Sequence, residues 1–299
     1  MISFFKTNRQ REALYGWLFA LPAIIGLVAF DVGPMVASVL ISFTEWNGVT
    51  PPQWVGLANY EEILFRDELF MLSMRITTIF AFVSIPLNLV TGFLLALLLN
   101  QKIRGQSLMR TLYYLPSIVP LVAVAALWRW IFLKRFGLLD IGLAMMGIQA
   151  PDWLGDPNWV LPAFIVMGLW GVGGGMLINL AGLQAIPTDL YDAASIDGAN
   201  ALQRLVNVTI PMMTPLILFN LVMGIIGGLQ VFVVAFVMTG GGPSNASLFY
   251  MLHLYRNAFE YFRLGYGSSL ALVLFLYIIV LSALVFRSST AWVYYEGNR

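Results

Sequence analysis

The chain contains no cysteine, a single histidine and only 10% charged residues. Each shortage removes a class of function. Without cysteine there is no disulfide, no thiol nucleophile and no cysteine-held metal. One histidine, His253, cannot form the helix-spaced pair of a zinc site. Ser268 and Ser269 follow glycine, but a serine nucleophile needs a base within hydrogen-bond reach, and nothing in the sequence assigns His253 to that task. Its expected place is a polar loop, facing water. The only lysines are Lys6, Lys102 and Lys134, and none follows a glycine. A phosphate loop ending in Gly-Lys-Ser/Thr is therefore missing, and Gly173-Gly174-Gly175 and Gly240-Gly241-Gly242 read as packing and turn glycines. A net charge of +1 offers no basic face for nucleic acid.

Apolar residues are what the chain has in excess. They make up 60% of it, with a mean hydropathy of +0.82, whereas soluble domains carry about 25% charged residues. This indicates an all-α protein that crosses a membrane several times. Six apolar runs are long enough to span, a crossing needing about 20 residues. They cover Ala13 to Phe43, Phe70 to Leu99, Leu112 to Phe132, Trp159 to Leu183, Met212 to Met238 and Tyr266 to Phe286. The first holds Pro22, Asp31 and Pro34 and exceeds the required length, so it is expected to tilt, kink or emerge, with Asp31 marking the far interface. It is too long for a cleaved signal peptide and is kept as a span. The loop from Leu133 to Asn158 is polar, with a short interfacial helix expected over Ile141 to Met146. Arg75 and Arg129 lie near span ends, where their stems carry the charge back to the interface.

Loop charges set an orientation. Lys6, Arg9, Arg11, Lys102, Arg104, Arg110, Arg204, Arg287 and Arg299 fall on one side, against Arg66, Lys134, Arg135, Arg256 and Arg263 on the other. The excess belongs to the cytoplasm. The expected organisation is a cytoplasmic segment over 1–12, a transmembrane domain over 13–287 and a cytoplasmic tail over 288–299, with both termini inside.

One polar island, residues 187–211, interrupts the apolar pattern between the fourth and fifth runs. Pro187 with Thr188 or Asp189 makes a helix start, because a short side-chain oxygen can satisfy the first amides. Leu190 to Ile196 makes two turns, and Asp197-Gly198 ends them. Asn200 can cap a second short helix running up to Pro211. The result is a helix–glycine–helix elbow on the cytoplasmic side.

Asp192-Ala193-Ala194, Asp197-Gly198-Ala199, Ile210-Pro211 and Pro215 together resemble the EAA loop of permeases from binding-protein-dependent ABC importers. Two positions depart from that pattern: Asp192 stands for the usual glutamate, and Leu205 for the usual aromatic. Trp54-Val-Gly-Leu-Ala-Asn-Tyr60, Tyr114-Leu-Pro116, Leu127-Trp-Arg-Trp130 and Thr239-Gly-Gly-Gly-Pro243 resemble further elements of the carbohydrate-importing, maltose-type branch. The resemblance implies a six-helix permease of a bacterial or archaeal inner membrane, with Asp192, Ala193, Ala194, Asp197, Gly198 and Ala199 forming a coupling helix. It implies a second, different permease as a heterodimer partner, a cytoplasmic ATPase dimer and an extracytoplasmic sugar-binding protein. ATP and Mg then belong to the ATPase, and this chain is neither an enzyme by itself nor a cofactor carrier.

The same resemblance places a substrate path at the middles of the fourth and fifth runs. Gly168, Gly171, Gly174, Gly224, Gly227 and Gly228 fall there. Gly171 with Gly175, and Gly224 with Gly228, are spaced four apart, so each pair lies along one helix face and can serve close packing between membrane helices. Asn220 and Gln230 are polar at membrane depth, costly unless paired or facing a wet cavity. Phe232 and Trp170 could stack on a sugar ring or simply pack. The rival function is an ion-gradient-driven secondary transporter, which should carry buried acids. Asp31 is the only acid inside an expected span, and it lies towards an edge.

Overall fold

The computed structural model describes residues 8–101 and 104–294. Lys6, Lys102 and Arg299, which carry part of the charge asymmetry, lie outside the described residues. The chain is helical almost throughout. It divides into two units: residues 1–66 with 255–274, and residues 67–254 with 275–299.

Unit one opens with α1 (Asn8–Leu27), a π-type turn (Val28–Val32) and α2 (Gly33–Ile41). Together they make one apolar helix, Glu12–Ile41, long enough to cross a membrane. The wide turn sits directly before Pro34, where a regular helix would lose an amide donor and meet the proline ring. Gly33 N–H accordingly reaches back to the Val28 carbonyl. A two-residue hairpin follows, β1 (Thr44–Glu45) antiparallel to β2 (Gln53–Trp54), and then α3 (Ala58–Phe65). The Trp54–Tyr60 phrase proves to be a fastener. The Asn59 amide donates to the Ser42 and Thr44 carbonyls at 2.9 and 3.0 Å, Tyr60 Oη lies 2.6 Å from Ser42 Oγ, and Trp54 stacks on Phe43.

Unit two begins with α4 (Glu68–Asn100), whose first amides are capped by the Asp67 carboxylate, which accepts from Leu69 and Phe70 N–H. Next come α5 (Gln106–Ile118) and α6 (Leu121–Ile131), bent by 99°. The span expected over Leu112 to Phe132 is thus found as a bent pair. It starts earlier, and Pro120 holds Val119 extended, as residues before proline prefer, which ends α5. The short helix of the following loop is α7 (Leu138–Met145). The fourth run forms α8 (Val160–Trp170) and α9 (Gly173–Ala185), bent by 46° at Gly171-Val172. Then come α10 (Thr188–Ile196), α11 (Ala201–Arg204), a second π-type turn (Leu205–Thr209), α12 (Ile210–Leu229), α13 (Val233–Met238) and α14 (Tyr250–Tyr255). The last helix, α15 (Leu264–Ser289), begins in unit one and ends in unit two. Among the described residues four helices are long and apolar enough to span a membrane, and six if each bent pair is one span.

Among the described residues, two apolar cores lie in unit two. One joins Phe80, Phe132, Phe164, Val234, Ala235, Phe249 and Leu252. The other joins Ala96, Leu99, Met176, Leu180, Leu183 and Met213. The Thr239–Ser247 loop is clamped by Ser247 Oγ, bonded to the Gly242 carbonyl and to Thr239 Oγ1 at 2.6 and 2.7 Å, and it delivers Leu248, Phe249 and Tyr250 fully buried. His253 is a correction: it does not face water. It is buried, and Nε2 lies 2.7 Å from Asp67 Oδ2, so it ties α14 to the cap of α4.

Candidate functional site: a helical elbow and a glycine-lined cleft

The elbow starts at Pro187, extended at φ −57°, ψ 132°, with no side-chain oxygen capping the first turn. The expected Thr188 or Asp189 cap is therefore replaced by proline geometry. The stop is as the local sequence dictates. Gly198 sits at φ +80°, Gly198 N–H donates to the Ser195 carbonyl and Ala199 N–H to the Ala194 carbonyl. That paired reach-back is the Schellman arrangement, which a left-handed glycine allows. Two residues on, Asn200 and Gln203 form a reciprocal capping box at 2.9 and 2.8 Å, an arrangement whose loss costs about 0.5–2 kcal/mol.

The second helix of the elbow does not end at Pro211. It passes through the π-type turn, which widens the helix just ahead of that proline, and runs on without a break to Leu229, within the apolar span Ala201–Met238. The elbow is riveted to this helix at two points: Tyr191 Oη lies 3.0 Å from Thr209 Oγ1, and Arg204 Nη1 donates to Ser195 Oγ at 3.2 Å. No residue of α10 is buried. Ile196 is 87% exposed, with Leu202 and Val206 also exposed. Asp192 and Asp197 stand in the same surface, and among the described residues neither is part of an ion pair. Ala193, Ala194, Asp197, Gly198 and Ala199 share a cleft of about 480 Å³ with Gln203, Asn207 and Val208. Exposed isoleucine and leucine beside unpaired carboxylates and a concave notch is surface chemistry suited to a protein partner.

A second cleft, of about 340 Å³, opens between α4, the α8–α9 bend and α12. Gly168, Gly171, Gly224, Gly227, Gly228 and Asn220 all line it. Their roles divide. A side chain added at Gly224 or Gly228 would meet Ile85 at 2.9 or 3.1 Å, so these two glycines let α12 pack against α4. At Gly227 and Gly175 an added carbon meets nothing within 4 Å, so they leave room. Gly174 is directed elsewhere, towards Ser117 of α5. Gly173 is a close-contact glycine, abutting the backbone of Tyr113.

An adjoining cleft of about 310 Å³ shares Phe80, Gly168 and Gly227 and contains Gln230 and Phe232. Both residues sit in the break between α12 and α13. Irregular backbone at membrane depth is tolerated where it is buried in protein or lines a cavity. Phe232 stacks on Phe236. Trp170 meets Trp128 edge-on and lines neither cleft.

Sequence reasoning missed Asn88 and Asn179, although the rule that singled out Asn220 would have found them. Buried Asn179 accepts from Asn220 Nδ2 at 3.2 Å, and Asn88 Nδ2 donates to the Ser84 carbonyl at 2.8 Å. An amide offers about four hydrogen-bonding positions, so these bonds leave donors and acceptors over. Neither cleft is lined by an acidic or basic side chain.

Residues 88–291, which hold the elbow and most of the cleft, match the family of binding-protein-dependent transport system inner membrane components. The probable ABC transporter permease protein YesP of Bacillus subtilis is 39% identical over 293 residues, covering 97% of this chain and 94% of its own. The trehalose/maltose transport system permease protein MalF of Thermococcus litoralis is 35% identical over 277 residues, covering 92% of each. In fold, the chain is similar to a chain of a bacterial ABC transporter that imports alginate, at a TM-score of 0.82 and 24% identity over 94% of this chain and 96% of that one. The elbow, the broken helices and the span pattern thus have one explanation: this chain belongs to the binding-protein-dependent transport system inner membrane components, as a membrane-spanning ABC transporter permease.

Proposed function

We propose that the chain is one of two different permease subunits in an ATP-driven importer of sugars. The observation that carries this reading is mechanical. The exposed elbow is bonded to the same uninterrupted helix that supplies Asn220, Gly224, Gly227 and Gly228 to the cleft. A cytoplasmic ATPase dimer, which binds ATP and Mg, receives Ile196, Leu202, Asp192 and Asp197 at its surface. When its halves close, the elbow moves and the helix moves with it. The chain contributes no nucleotide chemistry of its own. The cargo passes between the two permeases, past Gly227 and the Asn88, Asn179 and Asn220 amides, whose uncharged donors and acceptors suit sugar hydroxyls. Support for a sugar comes from relatives such as the trehalose/maltose permease, and support for an external delivery protein from the alginate transporter of similar fold, which is seen with an alginate pentasaccharide-bound periplasmic protein. Loop charges set both termini and the elbow on the cytoplasmic side.

A gradient-driven carrier fits less well, because neither cleft offers a carboxylate to bind a proton or sodium ion. The test is purification of the tagged chain in mild detergent. A second permease and an ATPase should accompany it, with ATP hydrolysis stimulated by a sugar-loaded binding protein. A chain that purifies alone and accumulates solute in vesicles on an ion gradient without ATP refutes the reading.

A further inference from the structure

Unit one contains a concave site that the transport reading does not use. A cleft of about 390 Å³ opens among the β1–β2 hairpin, α3 and the start of α15, within the range of small-ligand sites. Trp46, Asn47, Glu62, Arg66, Phe262 and Tyr266 are among its walls. Unlike the two membrane clefts, it combines aromatic rings with charged and amide groups. Its polar groups are held in place. Glu62 Oε2 accepts from Arg263 Nη2 at 2.6 Å, and the Arg263 guanidinium lies 4.3 Å from the centroid of the buried Tyr266 ring.

Phe262 supplies the second observation. Its φ is +54°, a conformation that a bulky side chain adopts only under strain, at a cost of about 1–3 kcal/mol. Its ring is nevertheless 64% exposed, so burial does not offset the strain. The turn is pinned by Tyr261 N–H to the Arg256 carbonyl and by Arg263 N–H to the Asn257 carbonyl, and its effect is to hold an aromatic ring at the rim of the cleft.

We propose that this cleft binds one sugar residue. A pyranose has an apolar C–H face, which stacks on Trp46 or Phe262, and a rim of hydroxyls, which bond to the Glu62 carboxylate, the Asn47 amide and the Arg66 guanidinium. The proposal rests on the sugar-importer reading and adds to it a subsite on the outer side, where the loop charges put Arg66 and Arg263. Sugar is held there on arrival, before it reaches the membrane clefts.

The test is saturation-transfer NMR on the purified full chain. The probe is an equal mixture of glucose, galactose, mannose, rhamnose, xylose, glucuronate and galacturonate at millimolar concentration. At least one sugar should receive saturation. That signal should fall about tenfold, equivalent to about 1.4 kcal/mol, in Trp46→Ala and in Phe262→Gly, and persist in Gly227→Leu, which fills the membrane cleft. Phe262→Gly also relieves the strained backbone, so its melting temperature should not fall, and lost binding cannot then be ascribed to lost folding. Absence of saturation in every sugar overturns the proposal. So does a signal that survives both cleft variants, or one that Gly227→Leu alone removes. A photo-crosslinker at position 262 that captures the binding protein, with no sugar bound, assigns the cleft to protein docking and overturns it as well. The measurement needs neither ATP nor an ATPase, so loss of coupled uptake with sugar binding intact refutes the importer reading and not the subsite.

Discussion

Gly198 gives the sharpest test of the elbow. It stands at φ +80° with nothing within 4 Å of an added Cβ, so Gly198→Ala changes the backbone preference without a steric clash. A left-handed alanine costs about 1–2 kcal/mol, which shifts a local equilibrium about 5–30-fold. Gly198→Pro is a different perturbation. It fixes φ near −65° and deletes the N–H that bonds the Ser195 carbonyl, for a cost of about 3 kcal/mol or more and a shift above about 100-fold. Gly198 itself is exposed and belongs to neither core, so neither change should unfold the protein. Uptake by the reconstituted complex should therefore be graded: reduced in the alanine variant, abolished in the proline variant, with membrane insertion and residual ATP hydrolysis retained in both. The chain has no cysteine, so a single cysteine placed at Ile196 can report contact with the ATPase by crosslinking in the same samples. Normal uptake in Gly198→Pro refutes the coupling role. Equal loss in both variants refutes the reasoning from stop geometry, because it makes any side chain at 198 harmful whatever its backbone preference.

Asp192→Lys reverses an exposed charge, so it should abolish coupled uptake and crosslinking without changing the melting temperature; normal uptake rejects a docking role for this carboxylate. Gly227→Leu and Gly224→Leu separate the two uses of glycine in the cleft. The first enters open space and should block uptake with stability unchanged, whereas the second drives into Ile85 and should cost about 1–3 kcal/mol of stability by overpacking, read by thermal unfolding. Tyr250 gives an alkaline signature. Burial, reinforced by the Asp67 carboxylate, pushes its phenol well above the usual value of 10.0. The unfolded chain loses that proton first, so the folded state holds more protons and stability falls as pH rises above about 10. Tyr250→Phe should flatten this part of the unfolding-pH curve, and an unchanged slope counts against the assigned cause.

How much of this was legible in the sequence depended on whether the determinant was local. The stop at Asp197-Gly198 and the cap at Asn200 follow from backbone preferences and short side chains acting within four residues, so composition and order were enough. The apolar runs located the spans, most closely where the helix is continuous, with α4 found over Glu68–Asn100 against Phe70 to Leu99. The third run folds as a bent pair, because Pro120 acts through its neighbour Val119, and hydropathy does not register a 99° turn. Pro211 misled in the opposite direction: the π-type turn at Leu205–Thr209 widens the helix just ahead of the proline, and the helix passes through. His253 was illegible for a different reason. Its partner Asp67 lies 186 positions away, and only tertiary packing makes a buried pair out of two residues that separately read as loop. Asn88 and Asn179 could have been found by treating every intramembrane amide as Asn220 was treated.

The helix from elbow to cleft must be stiff if a push at one end is to matter at the other. From Ala201 to Gly227 is about 40 Å at 1.5 Å per residue, and Pro211 and Pro215 are two places where such a lever could fold. The first is absorbed by the π-type turn, whose outer end is fastened by Thr209 to Tyr191. The second frees the Pro211 carbonyl, and Thr214 Oγ1 bonds it at 2.6 Å while accepting Tyr294 N–H at 2.8 Å, so the gap in the ladder is closed and braced from the end of the chain. Beyond it, Gly224 and Gly228 lock α12 against Ile85 of α4. The helix is then interrupted at Gln230–Phe232, beside the cleft. A displacement entering at α10 is therefore not dissipated along α12. On the proposed reading it is delivered where the helix is already interrupted, at the residues that would touch the cargo.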